Sequence, residues 1–145
     1  MYKKIIAAVD GSEHGDAVLD TVASLAKLSG ASVHVIHIRP DQVISGGLAS
    51  GVVVSTEEPN EGREVVAAAL TRLRAEGISA EGEVDEGLQE EVAAILVERA
   101  AALGSDLIAV GPGHYHGISG LLHASVSHGV AKTAPVSVLL VRTES

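Results

Sequence analysis

"DLIAVGPGHYHGISGLLHASVSHG", residues Asp106 to Gly129, decides how this chain folds. Leu107 to Val110 is a short apolar run between Asp106 and Gly111, the pattern of a strand buried on both faces. A loop follows with Gly111, Gly113, Gly117 and Gly120, and with His114, His116 and His123. A helix is expected from about Ser119 to Thr133. Strand, glycine-rich loop and helix is the order of a phosphate cradle. It is also the order of an ordinary turn into a helix, and the histidines add a third reading, a metal site.

The same alternation recurs along the rest of the chain. Lys3 to Val9 reads as a strand with "IIAAV" apolar on both faces, and Asp10-Gly11-Ser12 turns the chain. Asp10 also cuts the N-terminal apolar run short, so this stretch reads as a strand and not as a secretory signal. A helix from about His14 to Leu28 puts Val18, Val22 and Leu25 on one face, and Gly30 stops it. Ser32 to Ile38 is the second strand. Pro40 to Pro59 has no clear period and reads as a long loop with one short extra strand. A helix from Asn60 to Glu76 ends at Gly77. Ile78 to Val84 alternates and is acidic, as suits a sheet edge. Leu88 to Leu103 is the third helix, closed by Gly104, and Pro135 to Val141 is the last strand. No repeat or linker breaks the chain, so residues 1–145 read as a single domain.

Five strands thus alternate with four helices. Right-handed crossovers make this an α/β fold, a parallel sheet with helices on both faces. Ligands in such sheets sit beyond the carboxyl ends of the strands, where the strand order reverses. The unusual residues lie at two such ends, Asp10 to Ser12 and Gly111 onward.

Composition agrees. The chain is 46% apolar yet has no Phe and no Trp, so its core must come from Val, Ile, Leu and Ala. It has no cysteine, which excludes disulfides and thiolate chemistry. No apolar stretch is long enough to cross a bilayer, so no membrane partner is expected and a cytoplasmic location follows. The net charge is -9, with eleven acidic residues between Glu57 and Glu91 against Arg63, Arg72 and Arg74. That balance argues against nucleic acid as a partner, because such binding neutralises phosphates with Lys and Arg. No G-x-S-x-G elbow and no GxxxxGK[ST] loop occurs, so no enzyme activity is expected beyond slow ATP hydrolysis.

"KKIIAAVDGSEHGDAVLDTVASLAKLSGASVHVIHI" resembles the opening of universal stress proteins, and "SDLIAVGPGHYHGISGLLHASVSHGVAKTAPVSVLLV" resembles their close. The resemblance covers most of the chain. It implies a doubly wound five-stranded parallel sheet of strand order 3-2-1-4-5, which makes strands one and four neighbours. It further implies a regulatory or sensor domain that binds ATP or AMP, with Mg as a possible companion, at the crevice between those strands. A homodimer through the last strand, Val136 to Val141, is implied as well. An apolar edge strand of that kind is seldom left bare.

The nucleotide-binding members carry G-x-x-G-x9-G-[ST]. On this sequence the pattern falls on Gly111, His114, Ala124 and Ser125. Its spacing is intact, but two of the three glycines are replaced. Glycine in a phosphate loop permits φ > 0 and close backbone approach. A histidine at 114 and a methyl at 124 are therefore expected to weaken binding, unless the bend re-forms around Gly113. The resemblance assigns Asp10 and Ile38 to the adenosine part, and Ser125, Val126 and Ser127 to the phosphates. The alternatives are that Asp10 only fixes its own turn, and that Ser125 to Ser127 form a polar helix face. His114 and His116, with His123 nearby, either ligate a metal or lie on a surface loop rich in His, or His114 contacts a phosphate through its ring N–H; no metal site is assigned. His34 and His37 are expected to be packed and hydrogen-bonded, His14 and His128 exposed. A member that binds no nucleotide and works by protein contacts is the second functional reading, with the Pro40 to Pro59 loop as its working surface.

Overall fold

The computed structural model describes residues 1–44, 52–55, 60–112 and 124–143. In chain order the elements are β1 (Lys4–Ala8), α1 (Glu13–Ser29), β2 (Ser32–Ile44), β3 (Val52–Ser55), α2 (Glu61–Ala75), β4 (Ala80–Leu88), α3 (Val92–Leu103), β5 (Leu107–Val110), α4 (Ala124–Thr133) and β6 (Ser137–Leu140).

The parallel strands run β4-β2-β1-β5-β6 across the sheet. Numbered by parallel strands alone, that is the order 3-2-1-4-5. A sixth strand joins them among the described residues: β3 pairs antiparallel with the far end of β2, from Asp41↔Ser55 to Ile44↔Val52. It is the short extra strand expected within Pro40 to Pro59. Two boundaries differ from the sequence reading. β2 continues past Ile38 to Ile44, because β4 pairs with it as far as Asp41↔Leu88. Leu88 consequently ends a strand, where a helix start was expected. The Leu88 N–H donates to the Glu91 carboxylate at 3.0 Å, and one 3-10 turn leads into α3.

β1 shows why its sequence is apolar throughout. Ile5, Ala7 and Val9 pack under α1 and α2 with Val18, Val22, Val66 and Leu73. Ile6 and Ala8 pack on the other face under α3 and α4 with Val92, Leu96, Val126 and Val130. Alternate residues point to opposite faces of a strand, so only a strand apolar at every position can be covered on both sides. Each buried Ile, Leu or Val side chain contributes about 1.5–3 kcal/mol. α1 and α3 end at Gly30 (φ 74°) and Gly104 (φ 67°) in the left-handed conformation that an L side chain resists.

The start of β5 is tied to the N-terminus by a side chain. The Asp106 carboxylate accepts the Lys3 N–H at 2.9 Å and the Lys4 N–H at 3.2 Å. Burial pushes this carboxyl upward, but the backbone N–H bonds from Lys3 and Lys4 outweigh it and hold it below 3.8.

Candidate functional site

β1 and β5 are adjacent and parallel, in the register Ile5↔Leu107 to Ala7↔Ala109. β1 leads into α1 on one face of the sheet, and β5 leads towards α4 on the other. The chain therefore leaves these neighbouring strands in opposite directions, and a crevice opens between their carboxyl ends. Asp10 stands at one lip and Gly111 at the other.

Asp10 builds its own turn. Its Oδ1 accepts the Ser12 N–H at 3.0 Å and the Ser12 hydroxyl at 2.5 Å, which is an Asx turn through Gly11 at φ 80°. Gly15 lies over this carboxylate: a Cβ there would fall 3.1 Å from Asp10 Oδ1. The first turn of α1 reaches across to the second lip, where a Cβ on Gly111 would sit 3.5 Å from the His14 Cβ, an ordinary contact. Gly111 is not in the left-handed region. Its lack of a side chain leaves space at the lip and is not demanded by the backbone.

Ile38 forms the floor through its backbone. The side chain is 3% exposed and packs in the core under α3 and α4. The Val9 N–H donates to the Ile36 carbonyl at 3.0 Å, so Ile36 directs its backbone polar groups towards β1. Two residues on, Ile38 directs its own N–H and C=O the same way, beyond the end of β1 and into the crevice. Ala124 is the first residue of α4, and Ser125, Val126 and Ser127 complete its first turn. α4 returns from the carboxyl end of β5 to the start of β6, so its N-terminus must lie at the carboxyl edge of the sheet. First-turn N–H groups have no intrahelical acceptor and carry the positive end of the helix dipole. The Val126 side chain is buried at 2% exposure, so only its N–H is available to a ligand; Ser127 is half-buried. Gly113, His114, His116 and His123 lie outside the described residues.

The remaining histidines divide as follows. His37 is buried, and its Nδ1–H donates to the Val9 carbonyl at 2.9 Å, which ties β2 across the end of β1 beside Asp10. His34 is buried and its Nε2–H donates to Glu83 Oε1 at 2.9 Å. His128 is exposed. His14 differs from expectation: it is half-buried, with its Nδ1 3.3 Å from the Thr143 hydroxyl. Thr143 follows β6, so the stretch after β6 reaches the first turn of α1. The two residues are 129 apart, and no local pattern links them.

A cavity of about 560 Å³ opens on the α1 and α2 side of Asp10, floored by Leu19, Val65 and Ala69. Asp16, Glu61 and Glu64 surround it, and among the described residues lining it the one cationic side chain, Arg72, is held by Asp20 and by Glu76 at 3.9 Å. Such a surround repels phosphate. The face bordered by Gly111 and the start of α4 suits an anion better. Among the described residues no helix is long and apolar enough to cross a membrane.

The comparisons with known proteins agree with this fold. The Universal stress protein YxiE of Bacillus subtilis is 28% identical, with 98% of this chain and 100% of that protein covered. A universal stress protein of Archaeoglobus fulgidus, solved in complex with dAMP, superposes with a TM-score of 0.67 at 27% identity, covering 97% of this chain and 98% of that one. A universal stress protein family member from Burkholderia pseudomallei has the same fold, with a TM-score of 0.72, 24% identity, and 97% and 96% of the two chains covered. The profile of the Universal stress protein family matches residues 1–142, and this chain belongs to that family.

Proposed function

We propose that this chain binds an adenine nucleotide, ATP or AMP, in the crevice between β1 and β5, and acts as a regulatory or sensor domain, not as a catalyst. The observation that carries this reading is the meeting of Asp10, the Ile38 backbone, Gly111 and the first turn of α4 at one edge of the sheet. The dAMP complex of the Archaeoglobus fulgidus relative supports the ligand class. Asp10 and Ile38 would face the adenosine. Gly111, Gly113 and His114 would border the phosphates, and Ala124, Ser125, Val126 and Ser127 would offer N–H groups and hydroxyls to them, with Mg as a possible counter-ion. The domain works in the cytoplasm.

His114 and Ala124 stand where the family pattern has glycine, and this departure favours a second reading, a member that binds no nucleotide and works through protein contacts. Calorimetric titration with ATP and AMP, with and without Mg, separates the two when run beside His114→Gly. Binding by the natural protein supports the nucleotide reading. Absence of binding, restored in His114→Gly, shows a crevice closed by substitution. Absence in both refutes nucleotide binding.

The same reading includes a homodimer through Val136 to Val141. β6 pairs only with β5 among the described strands, and Leu140 on it is 42% exposed.

A further inference from the structure

Three elements bring ionisable side chains together on the α3 face of the outer sheet. β4 carries Glu83 and Asp85 two residues apart on that face, with Glu83 beside Ile36 and Asp85 beside Ile38. From β2, the His34 Nε2–H donates to Glu83 Oε1 at 2.9 Å; from α3, the Arg99 Nε–H donates to the same oxygen, also at 2.9 Å. These two N–H groups are both committed to one carboxylate. Asp85 Oδ2 is buried and has no hydrogen-bond partner among the described residues. Glu81, exposed further back along β4, adds another negative charge on this face. An ionised Asp85 is thus desolvated beside a second carboxylate, and the attraction of Arg99 and His34 offsets this only in part.

We infer that Glu83 and Asp85 form a carboxyl pair that takes up a single proton, and that this uptake tightens the contact of β4 with β2 and α3. Protonated Asp85 donates its O–H to the Glu83 carboxylate, which replaces repulsion by a charge-assisted hydrogen bond. Glu83 keeps His34 and Arg99. Burial first, and the Glu83 charge second, hold the Asp85 carboxyl above its ordinary 3.8. A carboxyl raised in the folded state contributes stability that is complete below 3.8 and is lost as pH rises through its folded value. The contact therefore firms on acidification from neutrality. α3 in turn packs Val92 and Leu96 against Val126 and Val130 of α4, so this contact bears on the helix that begins at the crevice. The inference does not depend on nucleotide binding.

Carboxyl-carbon NMR titration of the full chain tests it, together with urea unfolding at about pH 7 and close to pH 3.8. The Asp85 carboxyl should titrate above 3.8 and move down in Glu83→Gln. In His34→Gln it should stay above 3.8, which separates it from histidine titration. Asp85→Asn should raise the urea midpoint at the higher pH and raise it less at the lower. An Asp85 that titrates at or below 3.8, or is unmoved by Glu83→Gln, overturns the proposal. So does an Asp85→Asn effect that is equal at both pH values.

Discussion

Gly129→Ala moves a single methyl group into the contact between α3 and α4. A Cβ at 129 would lie 2.9 Å from the Ala93 Cβ. Carbon atoms pack best at about 3.5–4.0 Å, so the helices must separate by roughly 0.6–1 Å, or the methyl must strain its surroundings. Overpacking of this kind costs about 1–3 kcal/mol. Alanine recovers about 1 kcal/mol of helix propensity over glycine. The net expectation is a loss of about 1 kcal/mol, or a fall in Tm of roughly 2–4 °C for a domain of this size. The double variant Ala93→Gly/Gly129→Ala hands the methyl from one helix to the other. It removes the clash and exchanges one propensity for the other, so it should unfold near the natural midpoint. Urea unfolding followed by circular dichroism, with an unchanged slope, measures Gly129→Ala, Ala93→Gly and the double variant. The coupling energy should be roughly 2 kcal/mol in favour of the pair. Additive effects, or a Gly129→Ala variant that is simply more stable, would refute the close helix approach.

Asp106→Asn should destabilise the protein most at neutral pH. Its lowered carboxyl contributes stability present above 3.8 and lost as pH falls through the folded value, so the difference from the natural protein shrinks in acid; a difference constant with pH, read by chemical denaturation, would contradict the Lys3 and Lys4 bonds. Leu140→Lys places a charge on the β6 edge and should convert a dimer to monomer in sedimentation with the fold retained. A natural protein that is already monomeric at micromolar concentration would remove the basis for pairing through this strand.

Much of the fold is legible in the residues because local patterns report faces and ends. Ile5 to Val9 is apolar at every position, and that pattern belongs to a strand covered twice. Gly30, Gly77 and Gly104 mark the helix ends that the structure places there, each at positive φ. The passage from β2 into β3 has no such local signal. Pro40 and Asp41 look like the start of a loop, yet Pro40↔Gly87 and Asp41↔Leu88 continue the ladder. A partner strand supplied the pairing that local propensity disfavours.

The site divides along the same line. Asp10 and Gly111 stand out in the sequence because each ends an apolar run, and the family resemblance adds their neighbourhood. Only the β1–β5 pairing brings the two lips together. The interactions that finish the region have no sequence signature: His37 reaches a carbonyl 28 residues away, His34 a carboxylate 49 away, and His14 a hydroxyl 129 away. Periodicity encodes which face a side chain turns to, because backbone geometry repeats over a few residues. It carries no information about which strand lies alongside, because that choice is made by the packing of the whole chain. The sequence alone therefore determined the elements, their buried faces and the two candidate lips, and the tertiary structure decided that the lips are neighbours and that Glu83, not Asp85, receives the donors of His34 and Arg99.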